Sequence, residues 1–155
     1  MAVAKDAVER VPRRLALAMA VLAFMSGSGT MTRASDHPGV TVREGVYSPA
    51  QAAAGQAVYV AKCSACHLEN LGGGMNESPA LKGKLFIANF ANKPLRNLYS
   101  RILSTMPLND PGTLSDQETL AVVAYLLMQN GFPSSPDRSL ANPESLNNIE
   151  FVPIN

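Results

Sequence analysis

Three observations predict an all-α fold. Two serine-led signatures, Ser48-Pro49-Ala50-Gln51 and Ser115-Asp116-Gln117-Glu118, each stand directly before a run of helix formers. Gly131 and Pro133 close the second run, as helix stop signals do. No pair of alternating apolar runs flanks a turn, so neither a strand pair nor an internal repeat is expected. The 155 residues allow one domain of about a hundred residues with extensions.

The chain opens on a basic stretch, Lys5, Arg10, Arg13 and Arg14, followed by eleven apolar residues from Leu15 to Met25. Thr32-Arg33-Ala34 then offers small residues at the positions a signal peptidase reads. Residues 1–34 are read as a signal peptide cut before Ser35, which makes the mature protein exported and periplasmic. Eleven apolar residues fall short of the about twenty needed to span a bilayer. No stable membrane insertion is expected after cleavage.

Ser35 to Tyr47 has no helical period and is expected to be an extended leader. Ser48 is the N-cap of the first helix, Pro49 suits its first position, and Gln51 at the third completes a capping box. The helix runs through Gly55, Val58, Tyr59 and Lys62. Gly55 costs a helix interior about 1 kcal/mol, so close packing is its expected reason, with Tyr59 one turn further along that face. Asn70 to Ser78 is a loop with glycines at 72, 73 and 74. A helix is expected near Lys84 to Ala91, and another from Pro94 through Leu98 and Arg101 to Leu103. Thr105-Met106-Pro107 and Pro111-Gly112 form a loop. The Ser115 box opens the strongest helix, with Leu120, Val123, Ala124 and Leu127 on one face. Beyond Pro133 the chain turns polar. Asn142-Pro143 starts one more turn presenting Leu146 and Ile149, and most of Ser134 to Asn155 is expected at the surface. The expected organisation is a leader at 35–47, a domain at 48–132 and a tail at 133–155.

Formal net charge is +1. Five of the 13 basic and two of the 12 acidic residues lie in 1–34, leaving eight against ten and a net of −2 after cleavage. That balance excludes a nucleic-acid footprint and strong steering toward an acidic partner. No carboxylate pair, nucleophile triad or phosphate loop is evident, so substrate chemistry has no seat.

Cys63-Ser64-Ala65-Cys66-His67 contains the only two cysteines of the chain. This order is the covalent haem attachment signature. Each thiol can form a thioether to a haem vinyl group, and the imidazole is then placed to ligate the iron, giving one haem c per chain. A redox disulfide would sit in a βαβ context, and no strand pattern surrounds this motif. A structural zinc needs four ligands, and only His37 is left as a usual N/S donor.

The sixth iron position decides the chemistry. His37 lies in the leader. Met1, Met19, Met25 and Met31 belong to the signal, Met128 to the last helix as packing, and Met75 to the glycine loop on the histidine side. Met106 lies 39 residues after His67, stiffened by Pro107 and just ahead of the final helix. Methionine is normally core filler, but an attached haem would otherwise lack a sixth ligand, so Met106 is the expected one. It should face His67 across a slot.

Together, the capped helix with Gly55 and Tyr59, Cys63-Ser64-Ala65-Cys66-His67, Pro79-Ala80-Leu81, Thr105-Met106-Pro107 and a final helix with Tyr125-Leu126 resemble a class I cytochrome c over Ser48 to Phe132. The resemblance implies several short helices around one haem, and an electron-transfer protein rather than an enzyme. It also implies that Gly55 and Tyr59 meet Tyr125 where the first and last helices cross, and that the Pro79 carbonyl accepts from His67 Nδ1–H. Thr105 to Pro107, Gly112 to Ser115, Ala124 to Leu127, Asn130 to Pro133 and Pro143 to Ile149 are similar to the cytochrome modules that accompany quinoprotein (PQQ-dependent) alcohol dehydrogenases. That likeness implies a quinoprotein dehydrogenase as donor, and a terminal oxidase or another cytochrome as acceptor. Two other readings stay open: a haem subunit permanently bound in a dehydrogenase or oxidase, docked through the tail after Pro143, and a haem ligand sensor.

Overall fold

A computed structural model describes residues 39–74 and 77–154. The expected signal peptide, the start of the leader with His37, and Met75 lie outside the described residues. The elements run β1 (Val40–Thr41), a 3-10 turn (Val42–Glu44), α1 (Pro49–Lys62), α2 (Ser64–His67), α3 (Lys84–Phe90), α4 (Arg96–Thr105), α5 (Asp116–Gln129), a second 3-10 turn (Glu144–Asn148) and β2 (Ile149–Glu150). The fold is all-α in class.

The frame is the crossing of α1 and α5. At Gly55 the two backbones touch: a Cβ there would overlap the carbonyl of Ala121 and lie 2.9 Å from Tyr125 Cβ. One turn on, the rings of Tyr59 and Tyr125 pack at 5.2 Å between centroids. The same crossing is tied at the surface by Lys62 Nζ to Glu118 Oε1 at 2.7 Å. Thr119 through Leu127 are all buried, not only the one face that periodicity singles out. A helix covered from several sides loses its polar stripe.

Both helix starts use serine. Ser115 and Glu118 exchange the full capping box, with Glu118 N–H to Ser115 Oγ at 3.2 Å and Ser115 N–H to Glu118 Oε2 at 2.9 Å. At α1 the expected box is only half formed. Ser48 Oγ accepts from Gln51 N–H at 3.1 Å, but the Gln51 side chain turns to the C-terminal segment. Its Nε2 donates to the Leu140 carbonyl at 2.9 Å, and its Oε1 accepts from Leu140 N–H at 3.0 Å. An amide side chain is both donor and acceptor, so it satisfies both backbone groups of one residue.

Leader and tail each place side chains in the core, which their lack of periodicity did not signal. Val42, Val46 and Tyr47 are buried, and Tyr47 Oη donates to the Phe132 carbonyl at 2.7 Å. Most of the tail's described residues are exposed, yet Leu140, Leu146 and Phe151 are fully buried in the core. A strand pair was not expected either, but β1 and β2 pair in parallel, Val40 with Ile149 and Thr41 with Glu150. The tail also zips onto the α3–α4 connection: Asn92 N–H to Phe151 C=O, Phe151 N–H to Lys93 C=O and Leu95 N–H to Ile149 C=O, at 2.8–2.9 Å. Phe151 then stacks edge-on against Phe132, with centroids 5.0 Å apart.

Candidate haem site

α1 ends at Cys63, and one helical turn later the chain reaches His67. Cys66 and His67 both donate their amides to the Cys63 carbonyl, at 3.2 and 3.0 Å. Residues three and four apart share a helix face, so Cys63, Cys66 and His67 point the same way. All three line one large cleft of about 1410 Å³, above the roughly 300–1,000 Å³ of ordinary small-molecule pockets. Its walls are apolar, with Phe86, Phe90, Leu98, Ile102, Val122 and Leu126 among them.

His67 is only 6% exposed. Its Nδ1 lies 2.9 Å from the Pro79 carbonyl. A carbonyl only accepts, so Nδ1 carries a proton, and in the neutral ring the lone pair is on Nε2. Among the described residues Nε2 has no hydrogen-bond partner. The backbone beyond His67 is anchored by Tyr59 Oη, which donates to the Leu68 carbonyl at 2.7 Å. Burial first, then the nearby Cys63 and Tyr125, push the Tyr59 phenol far above its usual range, so it stays a donor.

Met106 follows α4 directly and donates its N–H to Ile102 C=O at 2.9 Å. It is half-buried, packs against the core, and lines the same cleft as His67. Met128 is 38% exposed at the end of α5 and is not in the cleft wall. The structure therefore brings Cys63, Cys66, His67, Pro79 and Met106 to one cavity.

Asn130 is a site residue that sequence reading passed over. Its Nδ2 donates to the carbonyls of Leu81 and Leu126, at 3.0 and 2.8 Å, and its Oδ1 accepts from Gly83 N–H at 3.0 Å. It pins the Pro79–Gly83 segment to the end of α5. Sequence reading included it in the Asn130 to Pro133 stretch beside the Gly131 helix stop but gave it no role.

The donor set fits a covalently held haem. Both cysteines are free thiols. Burial chiefly, with Cys66 adding and Lys62 opposing, pushes the Cys63 thiol up to about 11. Thiols used for disulfide exchange are shifted the other way. Among the described residues no three His, Cys, Asp or Glu side chains converge to hold a bare ion. In a haem site the thiols bond the macrocycle rim and only the imidazole reaches the metal, so such convergence is not required.

The family comparison points the same way. Residues 50–126 match the family described as cytochrome C oxidase, cbb3-type, subunit III. No curated protein matches the chain. Among solved structures, the sulfane dehydrogenase SoxCD from Paracoccus pantotrophus is similar at 23% identity and a TM-score of 0.47, covering 64% of this chain and 52% of that one. The chain spans about half the length of that relative. The matched stretch contains Cys63, Cys66, His67, Pro79 and Met106 and ends within α5. Among the described residues no helix is long and apolar enough to cross a membrane.

Proposed function

We propose that this is a periplasmic monohaem cytochrome c that carries single electrons, with residues 1–34 as its export signal. Cys63 and Cys66 would tether the haem, His67 and Met106 would hold its iron, and the Pro79 carbonyl orients His67. One observation carries the reading: Cys63, Cys66, His67 and Met106 line one apolar cleft, and His67 is held there through Nδ1 by the Pro79 carbonyl.

The haem supplies the one-electron Fe(III)/Fe(II) couple. The chain's own residues hold its ligands still. His67 is fixed through Nδ1 to Pro79 and Met106 through its amide to Ile102, so little needs to reorganise when the charge changes. The apolar walls keep water from the metal, and thioether ligation raises the potential. By the sequence likeness the donor is a quinoprotein dehydrogenase, and the acceptor a terminal oxidase or another cytochrome.

The test is expression of the full chain in a host that matures c-type cytochromes. The exported protein should keep its haem colour after denaturing electrophoresis, and should have a mass lacking about the first 34 residues. Cys63→Ala with Cys66→Ala should be colourless. A colourless wild-type band would sink the haem assignment, and retention of Leu15 to Met25 would make the protein a tethered carrier.

A further inference from the structure

We infer that Gly73 is a positioning residue for His67, and that it sets the strength of the axial histidine bond; this rests on the haem reading above. Gly73 is wedged between the two backbone groups that fix this histidine. On one side its N–H donates to the carbonyl of His67, at 3.1 Å. On the other side the chain doubles back against it. A Cβ at position 73 would overlap the Ser78 carbonyl oxygen and lie 2.5 Å from the Pro79 carbonyl carbon and 2.6 Å from Ala80 nitrogen. The Pro79 carbonyl is the group that holds His67 Nδ1 at 2.9 Å.

The neighbour Gly74 isolates this effect. Both glycines have left-handed backbones, with φ of +70° and +110°. Among the described residues position 74 has nothing within 4 Å of where a Cβ would go, so close approach there is seen only at Gly73. The atoms crowding position 73 are all backbone. They cannot swing aside as a side-chain end does, so a methyl group must push the Pro79 carbonyl off the ring or tip the ring itself. A hydrogen bond at the far nitrogen of a ligating histidine raises its basicity. A more basic imidazole favours the ferric state, so weakening that bond raises the reduction potential.

The experiment compares Gly73→Ala and Gly74→Ala with wild type in the full chain, matured with haem. Covalent haem is quantified first; a wild type without it sinks the haem reading rather than this one. Spectroelectrochemistry should then show a higher potential for G73A and no matching shift for G74A. In a Met106→Ala background, carbon monoxide photolysis leaves five-coordinate ferrous iron, and its iron–histidine stretch should drop in G73A only. A haem-loaded G73A with the wild-type potential, or an equal shift in both variants, would overturn the proposal. If G73A does not mature, amide exchange in wild type decides: a protected Gly73 N–H supports the wedge, and a freely exchanging one refutes it.

Discussion

Replacing Phe151 by alanine tests whether the C-terminal segment builds the cleft. Phe151 is fully buried. Its ring meets Phe132 edge-on at 5.0 Å and approaches Phe90 and Phe86 at 6.1 and 6.5 Å. Phe86 and Phe90 are themselves cleft wall. Truncating a buried phenylalanine costs about 3–5 kcal/mol. At about 2.1 cal/mol/K of unfolding entropy per residue, a domain of roughly a hundred residues loses about 4–5 °C per kcal/mol, so Tm should fall by about 12–25 °C. Thermal melts of the matured protein, followed by far-ultraviolet circular dichroism and by the Soret band, give both global and cleft-local readings. The two should fall together. Ile154→Ala, at a side chain 41% exposed three residues on, should stay within about 0.5 kcal/mol of wild type. A Phe151→Ala protein melting within a few degrees of wild type would show that the tail lies on the fold without supporting it.

Met106→Ala should keep its covalent haem, lower the reduction potential and open the iron to carbon monoxide, seen as a shifted ferrous spectrum; an unchanged potential would remove Met106 from the metal. Hydrogen bonding from Lys62, then from Ser115, lowers the Glu118 carboxyl from its ordinary 4.5 to about 2. Because the folded value is depressed, this stabilisation is complete above about 4.5 and is lost as pH falls toward about 2. The Tm gap between wild type and Glu118→Gln should therefore close across that window, and should narrow with added salt because the pair is partly exposed; a gap constant with pH would contradict the assignment.

The parts of this fold legible in the sequence are those fixed by neighbours along the chain. Ser115 and Glu118 are three residues apart, and the box forms as read. Cys63, Cys66 and His67 fall within one helical turn, so their spacing alone places them on one face. Gly55 was legible because a glycine inside a helix calls for a packing partner, and Ala121 supplies it. What escaped depends on partners far along the chain. Gln51 has the right offset for a capping box, but it is claimed by Leu140, 89 residues away. The leader and tail have no period because neither buries a helix or strand face alone. Each becomes core only against the other, through β1 with β2 and Tyr47 with Phe132.

That pairing bears on the rival reading of a permanently docked subunit, which drew on the tail after Pro143 as its binding element. Leu146 and Phe151, large apolar side chains of that segment, are spent inside this domain. Freeing them would expose the Phe86–Phe90 wall of the cleft. Docking through those side chains would therefore work against the cavity that the proposed haem needs.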